Sequence, residues 1–97
     1  MERGLVCVNA KVNEILDILQ EECAEVIQAI SKIRRFGIDN SYKEGGTQRE
    51  HLIQELGDVT LLIELLKSHG VYTDSELREA QVRKSQKLVK WSKIYEN

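Results

Sequence analysis

Proline is absent from the 97-residue sequence, and aromatic residues are few: one Trp, one Phe and three Tyr. Little therefore favours a fold of many short strands joined by turns. No apolar run approaches the roughly 20 residues of a membrane span. The short apolar patch near the N-terminus lacks the length and the flanking residues of a signal peptide. These absences favour a cytoplasmic, all-α protein with a single domain over residues 1–97.

Charge of one sign and cysteine are also scarce. The net charge is only −2 although 31% of the residues are charged, so nothing indicates broad electrostatic binding of nucleic acid. Lys and Arg are frequent only locally, between residues 78 and 93. The two cysteines, Cys7 and Cys23, lie in contexts typical of buried residues and match no metal-ligand spacing. They are weak grounds for a disulfide and favour a reducing compartment.

Helix-capping residues divide the chain into three predicted helices. The first begins at Asn9, a good N-cap residue, and ends at about Phe36, before a glycine. Thr47 and Thr73 each have a Glu three residues later, which is the Thr-x-x-Glu capping box. They predict a second helix from Thr47 to Gly70 and a third from Thr73 to about residue 91. The polar segment 37–46, with three glycines, predicts a mobile loop.

Apolar residues recur at three- and four-residue steps along all three segments, as expected for amphipathic helices. The first helix carries one stripe and a second beside it: Val12, Ile15, Leu19, Val26, Ala29 and Ile33, then Leu16, Cys23, Ile27 and Ile30. The other two helices carry Leu52, Leu56, Val59, Leu62, Ile63 and Leu66, and Leu77, Ala80, Leu88 and Trp91. Such wide faces exceed what one small bundle covers, and at ~1.5 Å per residue the first helix alone is about 40 Å long. We therefore expect an oligomer to complete the bundle.

Two acidic residues interrupt these stripes. Glu22 on the first helix and Glu55 on the second each occupy a position where the periodicity predicts an apolar side chain. A buried, unpaired carboxylate is costly, so each needs a neutralising partner. Each also has an acid three residues later, Glu25 and Asp58, and Glu21 adds a third acid to the first cluster. Like charges at this spacing destabilise a helix, which indicates a function for the clusters.

If the first two helices pack antiparallel, these carboxylates meet in one place. Oxygen ligands without histidine or cysteine suit Mg²⁺ or Mn²⁺ and disfavour zinc. Either acidic cluster alone is common on solvated helix faces. Both clusters on the apolar stripes of consecutive helices favour a metal site. A ferritin-like di-iron site is a rival, but it requires a Glu-x-x-His pair, which the sequence lacks.

The two acidic clusters have a specific resemblance. Glu21-Glu22-x-x-Glu25 followed by Glu55-x-x-Asp58 resembles the EExxE…ExxD signature of the all-α nucleotide pyrophosphohydrolases. That superfamily includes MazG, the dimeric dUTPases, the dCTP pyrophosphatases and phosphoribosyl-ATP pyrophosphohydrolase. The segments EECAEVIQAISKIRRFG and LIQELGDVTLLIELL extend the resemblance over about residues 12–91. The compact length, the Arg-Phe-Gly turn and the Lys-Leu-x-Lys-Trp tail are similar to stand-alone, phage-type MazG relatives.

The resemblance implies a helical bundle completed as a homodimer or homotetramer. It also implies hydrolysis of a (deoxy)nucleoside triphosphate to the monophosphate and pyrophosphate. By motif position, Glu22, Glu25, Glu55 and Asp58 would bind Mg²⁺, or alternatively Mn²⁺. Glu22 would also act in catalysis, and Glu21 would orient the attacking water or lie just outside the metal ligands.

Lysines are the expected phosphate ligands. Lys84 lies on the apolar stripe of the third helix, and similar proteins often have a phosphate-binding lysine in this region of the last helix. It is the first candidate, Lys87 is the second, and Lys32 could reach a phosphate from the first helix. The alternative is that these side chains extend into solvent. His51 and His69 are assigned no role.

Two further functions stay open from the sequence. One is a helical assembly or regulatory module that keeps the acidic cluster without turnover. The other is phosphoribosyl-ATP pyrophosphohydrolase, which performs the same chemistry, and the phage-like segment around Arg35 argues only mildly against it.

Overall fold

The computed structural model describes residues 9–97, and these form three α-helices. Helix α1 spans Ala10–Phe36, α2 spans Gln48–Ser68 and α3 spans Asp74–Trp91. Within the described range the only β-type pairing is an isolated bridge between Ser41 and Thr47. The all-α prediction and the three predicted helix boundaries are confirmed to within about two residues, the scatter normal for helix ends. Cys7 lies outside the described residues.

The capping residues act as the sequence predicts. The Asn9 side chain accepts a hydrogen bond from the backbone N–H of Val12, at 3.0 Å. At the start of α2, Thr47 and Glu50 bond reciprocally, each side chain to the other's backbone N–H at 3.2 Å. The same capping box starts α3 at Thr73. These caps satisfy N–H groups that the helices leave unpaired, so they help to determine where each helix begins.

Helices α1 and α2 pack against each other as a hairpin, and the core lies between them. Val12 and Ile15 of α1 meet Leu62 and Leu66 of α2 in this core. Tyr72, after α2, packs against the same cluster and donates a hydrogen bond to a backbone carbonyl of α2 at 2.6 Å. The core therefore lies near the N-terminus of α1 and the C-terminus of α2, which is the arrangement of an antiparallel pair.

Helix α3 contributes little to this core. It makes only marginal contact with the other described helices, and all of its residues are described and none is buried. Trp91, at its end, is 76% exposed. The prediction that its stripe of Leu77, Ala80, Leu88 and Trp91 forms part of a core is therefore wrong for the single chain. The periodicity identified a shared helix face, but within the described chain only Leu88 of that face is half-buried, and the other three residues are exposed.

The second stripe of α1 also lacks a covering element. Leu16, Cys23, Ile27 and Ile30 are all exposed, and Cys23 is a free thiol. The expectation that these residues are buried is wrong within one chain, because α2 covers only one side of α1. The described chain extends 50 × 36 × 15 Å. The smallest extent, 15 Å, is less than a third of the largest, so the described chain is flat rather than spherical.

The segment between α1 and α2 is held more firmly than the predicted mobile loop. Arg49 of α2 donates two hydrogen bonds to Asp39 of the segment, at 2.8 and 3.0 Å. Gln48, which is buried, donates from its side chain to the Ser41 carbonyl at 3.0 Å. Backbone N–H groups of both α2 residues bond to carbonyls of the segment as well. These contacts fold the segment back over the start of α2.

None of the described helices is both long enough and apolar enough to cross a membrane.

Candidate metal centre

Three carboxylates from two helices converge on one side of the hairpin. Glu22 comes from α1, and Glu55 and Asp58 come from successive turns of α2. Each offers a carboxylate oxygen, and the three oxygens lie within 4.8 Å of one another. Glu22 and Glu55 are half-buried because they lie on the faces along which the two helices pack, whereas Asp58 is exposed. The antiparallel packing thus brings together acids that are 33 and 36 positions apart in the sequence.

The cluster perturbs its own ionisation. Partial burial, the charges of Asp58 and Glu55, a hydrogen bond with Asp58 and the charge of Glu25 together raise the pKa of Glu22 above its ordinary 4.5. Protonation is one way to relieve the crowding of negative charge at this point, and a bound cation is another.

Glu55 gives the clearest indication of a missing partner. Its Oε2 atom is buried and has no hydrogen-bond partner in the described part of the chain. A buried acceptor without a partner costs free energy, and more when it carries charge. Its neighbours in the cluster are other carboxylates, which cannot donate when ionised. Carboxylate oxygens are ligands that hard cations prefer, so the donor set of the cluster fits Mg²⁺ or Mn²⁺.

The remaining predicted acids are less closely placed. Glu25 is exposed, and it is not one of the three residues whose oxygens approach within 4.8 Å. Its charge nevertheless contributes to the raised pKa values of Glu22 and Tyr42, so it lies in the same electrostatic environment. Glu21 is exposed next to the cluster in sequence. The structure therefore brings together three of the four predicted metal ligands.

The three predicted phosphate ligands occupy different surroundings. Lys32 is half-buried near the end of α1, with its Nζ 5.2 Å from the centroid of the Tyr42 ring. Lys84 and Lys87 are exposed on α3. Because α3 barely contacts α1 and α2, the structure does not bring these two lysines into the acidic cluster through helix packing.

Tyr42 and His51 lie beside the cluster, although neither has a predicted role. Their rings stack with centroids 4.0 Å apart and an angle of 16° between the planes. The Nδ1 atom of His51 lies 4.0 Å from Oε1 of Glu55. Burial, a hydrogen bond with Glu44, and the charges of Glu44, Glu55 and Glu25 raise the pKa of Tyr42. The sequence signal that indicates His51 is its spacing from Glu55. It lies one helical turn before Glu55 and therefore on the same side of α2.

Two clefts meet at Tyr42. The larger, of about 570 Å³, lies between the end of α1 and the inter-helix segment, and Lys32, Tyr42 and Gln48 are among its lining residues. The smaller, of about 360 Å³, is lined by Tyr42 and His51 and by residues of the glycine turn. The larger cleft falls within the range usual for small-molecule sites. The three clustered acids are not among the lining residues of either cleft; the smaller cleft approaches them through His51, whose Nδ1 lies 4.0 Å from Glu55 Oε1.

Residues 11–88 match the model of the MazG nucleotide pyrophosphohydrolase domain. The match covers most of the chain, so the protein belongs to this family, and the predicted resemblance to MazG is confirmed. Membership supports nucleotide pyrophosphohydrolase activity in general, which is hydrolysis of a phosphoric anhydride, and the family typically depends on a divalent metal. Comparison with curated proteins and with solved structures found no match for the chain.

Proposed function

We propose that the protein hydrolyses a (deoxy)nucleoside triphosphate to the monophosphate and pyrophosphate, with Mg²⁺ as the cofactor and Mn²⁺ as a substitute. The observation that carries this proposal is the convergence of Glu22, Glu55 and Asp58 in a chain of the MazG family. A cluster of acids alone is common on protein surfaces. Here two of the three are half-buried on packed helix faces, and one has an oxygen without a partner in the described chain.

The metal ligands we assign are Glu22, Glu25, Glu55 and Asp58. Glu25 completes the set by motif position and by its charge, which acts on Glu22. When bound, Mg²⁺ would neutralise phosphate charge, polarise the α-phosphate and help to ionise the attacking water. Glu22 would act in catalysis as well as bind the ion, and Glu21, exposed beside it, would orient the water.

The chain's lysines would bind the negative charge of the phosphates. Lys32 is the lysine that already borders the larger cleft, and its ammonium group near the Tyr42 ring could turn towards a phosphate. Lys84 remains the first candidate by family position and Lys87 the second. Both would require α3, from the same chain or from another copy, to approach the acids.

The larger cleft supports a nucleotide rather than inorganic pyrophosphate as substrate. Tyr42 lines this cleft and stacks on His51, which in turn lies beside Glu55. Phosphates held at the acids would therefore leave the nucleoside within reach of the cleft. The rim offers an aromatic ring and the amide of Gln48, which are groups that contact bases and sugars in many sites.

We further propose that the working form is a homodimer or homotetramer. The single chain is flat, and it exposes large apolar side chains on all three helices. A second copy would cover those side chains and would enclose the open side of the acidic cluster.

A pyrophosphate-release screen tests the function. The panel contains the canonical ribo- and deoxyribonucleoside triphosphates and phosphoribosyl-ATP, each with Mg²⁺ and with excess chelator. We expect release from at least one nucleoside triphosphate, only with the metal. Release from phosphoribosyl-ATP alone would instead identify the enzyme of histidine synthesis.

Thermal melts separate an enzyme from a non-catalytic assembly module. Mg²⁺ together with a nonhydrolysable triphosphate should raise the melting temperature more than either alone, because both bind the folded chain. The proposed function would be refuted if no compound released pyrophosphate and no combination of metal and nucleotide raised the melting temperature. Stabilisation without turnover of any compound would favour the regulatory module.

A further inference from the structure

His51 lies next to one oxygen of Glu55. The two residues are one turn apart on α2, and His51 Nδ1 is 4.0 Å from Glu55 Oε1. Both side chains are only 13% exposed. At 4.0 Å the contact is longer than a hydrogen bond, and the two side chains would have to approach by about 1 Å to form one. Catalytic contacts are often long before a ligand binds and shorten in the complex.

Tyr42 holds the imidazole ring of His51 in this position. The ring stacks on Tyr42, whose backbone is itself fixed in the turn by hydrogen bonds with Gly45 and Gly46, at 3.0 and 2.8 Å. A ring that is already ordered loses little conformational entropy when it forms a further bond. The inter-helix segment, through Tyr42, therefore supports the histidine.

The two oxygens of Glu55 have different surroundings. Oε1 faces His51, whereas Oε2 is buried and has no hydrogen-bond partner in the described residues. Protein carboxylates that bind metals commonly accept a hydrogen bond from a neighbouring group, and that bond fixes the direction of the ligand atom. An imidazole with its proton on Nδ1 would supply such a bond to Oε1.

We propose that His51 is a positioning residue that orients Glu55 for the metal ion. The inference rests on the proposed function, because it assigns the neighbour of a proposed metal ligand. His51 donates from Nδ1 to Oε1 and leaves Oε2 free for the cation. Tyr42 keeps the imidazole in place, so the loop between α1 and α2 contributes to metal affinity without supplying a ligand.

Three substitutions separate the hydrogen bond from the ring. His51→Phe keeps a ring that can stack on Tyr42 but removes the donor. His51→Asn loses the ring but places an amide N–H near the position of Nδ1. His51→Ala removes both. The matched control is His69→Phe, the same change at the far end of α2, where the histidine contacts the carbonyl of Leu65 at 2.9 Å.

Calorimetric titration of Mg²⁺ and Mn²⁺ into the full-length protein, without nucleotide, measures the effect. We expect His51→Phe and His51→Ala to weaken metal binding by about 10- to 100-fold, the usual effect of losing a group that orients a metal ligand. The metal affinity of His51→Asn should stay within a few-fold of that of the wild type, and the metal affinity of His69→Phe should equal that of the wild type. Melts of the metal-free variants check that the folds persist.

The outcomes distinguish this inference from the proposed function. A wild-type protein that binds neither ion would refute the proposed function and His51's role with it. A wild-type protein that binds, with His51→Phe equally tight, would overturn only the role of His51. If the phenylalanine variant does not fold, His51→Ala decides: unchanged affinity, or an equal loss in His51→Asn, refutes the hydrogen bond.

Discussion

The exposed stripe on α1 allows a direct test of whether a second copy completes the bundle. Ile27, in the middle of Leu16, Cys23, Ile27 and Ile30, is 67% exposed in the single chain. Ile27→Glu should therefore leave the hairpin core intact. If another copy covers the stripe, the same change places a carboxylate in an apolar interface. The variant thus distinguishes a solvated helix face from an interface.

The surface of the chain indicates how large that interface could be. A globular monomer of 11.2 kDa exposes about 5,700 Å². This chain exposes 7737 Å², so the excess is about 2,000 Å². Each partner in a standard interface buries about 800 Å², which is well within that excess. The radius of gyration, 16.7 Å, likewise exceeds the roughly 12.5 Å of a compact chain of this length.

The expected loss of affinity follows from the burial of one side chain. Burying an isoleucine contributes about 1.5–3 kcal/mol. In a two-fold interface each copy loses this contribution, so the change costs about 3–6 kcal/mol. That corresponds to a dissociation constant weaker by roughly two to four powers of ten. The cost of burying the new carboxylate would add to this loss.

Light scattering after size-exclusion chromatography, over a dilution series, measures the assembly. We expect a wild-type mass that is a multiple of 11.2 kDa and a variant that dissociates at micromolar concentration. Gln28→Glu is the control, because it adds the same charge at an exposed neighbouring position. A wild-type protein of monomer mass would refute the oligomer. If the variant keeps the same assembly mass as the wild type over the dilution series, the stripe is not the interface.

Three further predictions concern the site. Glu22→Gln and Glu55→Gln should each lower turnover by about 100-fold or more with an unchanged circular dichroism spectrum, because each removes a charge that the cation needs and keeps the volume; unchanged turnover in both would show that the acids are solvated helix surface. The raised pKa of Glu22 means that the folded, metal-free chain binds the Glu22 proton more tightly than the unfolded chain does. The stabilisation that this proton gives the folded chain is complete below the ordinary pKa of 4.5. It is lost as the pH rises through the pKa of the folded state. Melts in chelator should therefore show a stability advantage of Glu22→Gln over wild type that grows with pH in this window, and a constant difference would contradict the shift. Lys84→Met should preserve the fold and metal binding but lower triphosphate turnover by about 10- to 1,000-fold; full activity would transfer the phosphate-binding role to Lys32 or Lys87.

Local sequence was sufficient for the helices and for part of the site. The capping boxes at Thr47 and Thr73 predicted both helix starts because a cap depends on residues within one turn of itself. The interruptions at Glu22 and Glu55 were informative for a similar reason. Residues at helical spacing share a face wherever the helix packs, so two such helices could be expected to bring their acids together.

Burial and the surroundings of the acids were less predictable. Periodicity places Ile27 on an apolar face of α1 and Leu77 on one of α3, but it does not identify the element that covers each face. Tyr42 and His51 were missed because their contact depends on the folding back of the inter-helix segment. Hydrogen bonds of Arg49 and Gln48 to that segment determine its path, and no residue spacing indicates them.

Assembly and phosphate binding are linked by the position of α3. The acids lie on the α1–α2 hairpin, whereas Lys84 and Lys87 lie on a helix that barely contacts it. If those lysines bind phosphate, the α3 that supplies them has to be brought to the hairpin, and a second copy packed on the α1 stripe is one way to do so. Ile27→Glu changes none of these acids and lysines. The turnover of this variant should then fall at the same dilution at which its assembly dissociates. A monomer that keeps full turnover would instead show that Lys32, already beside the cleft, is sufficient.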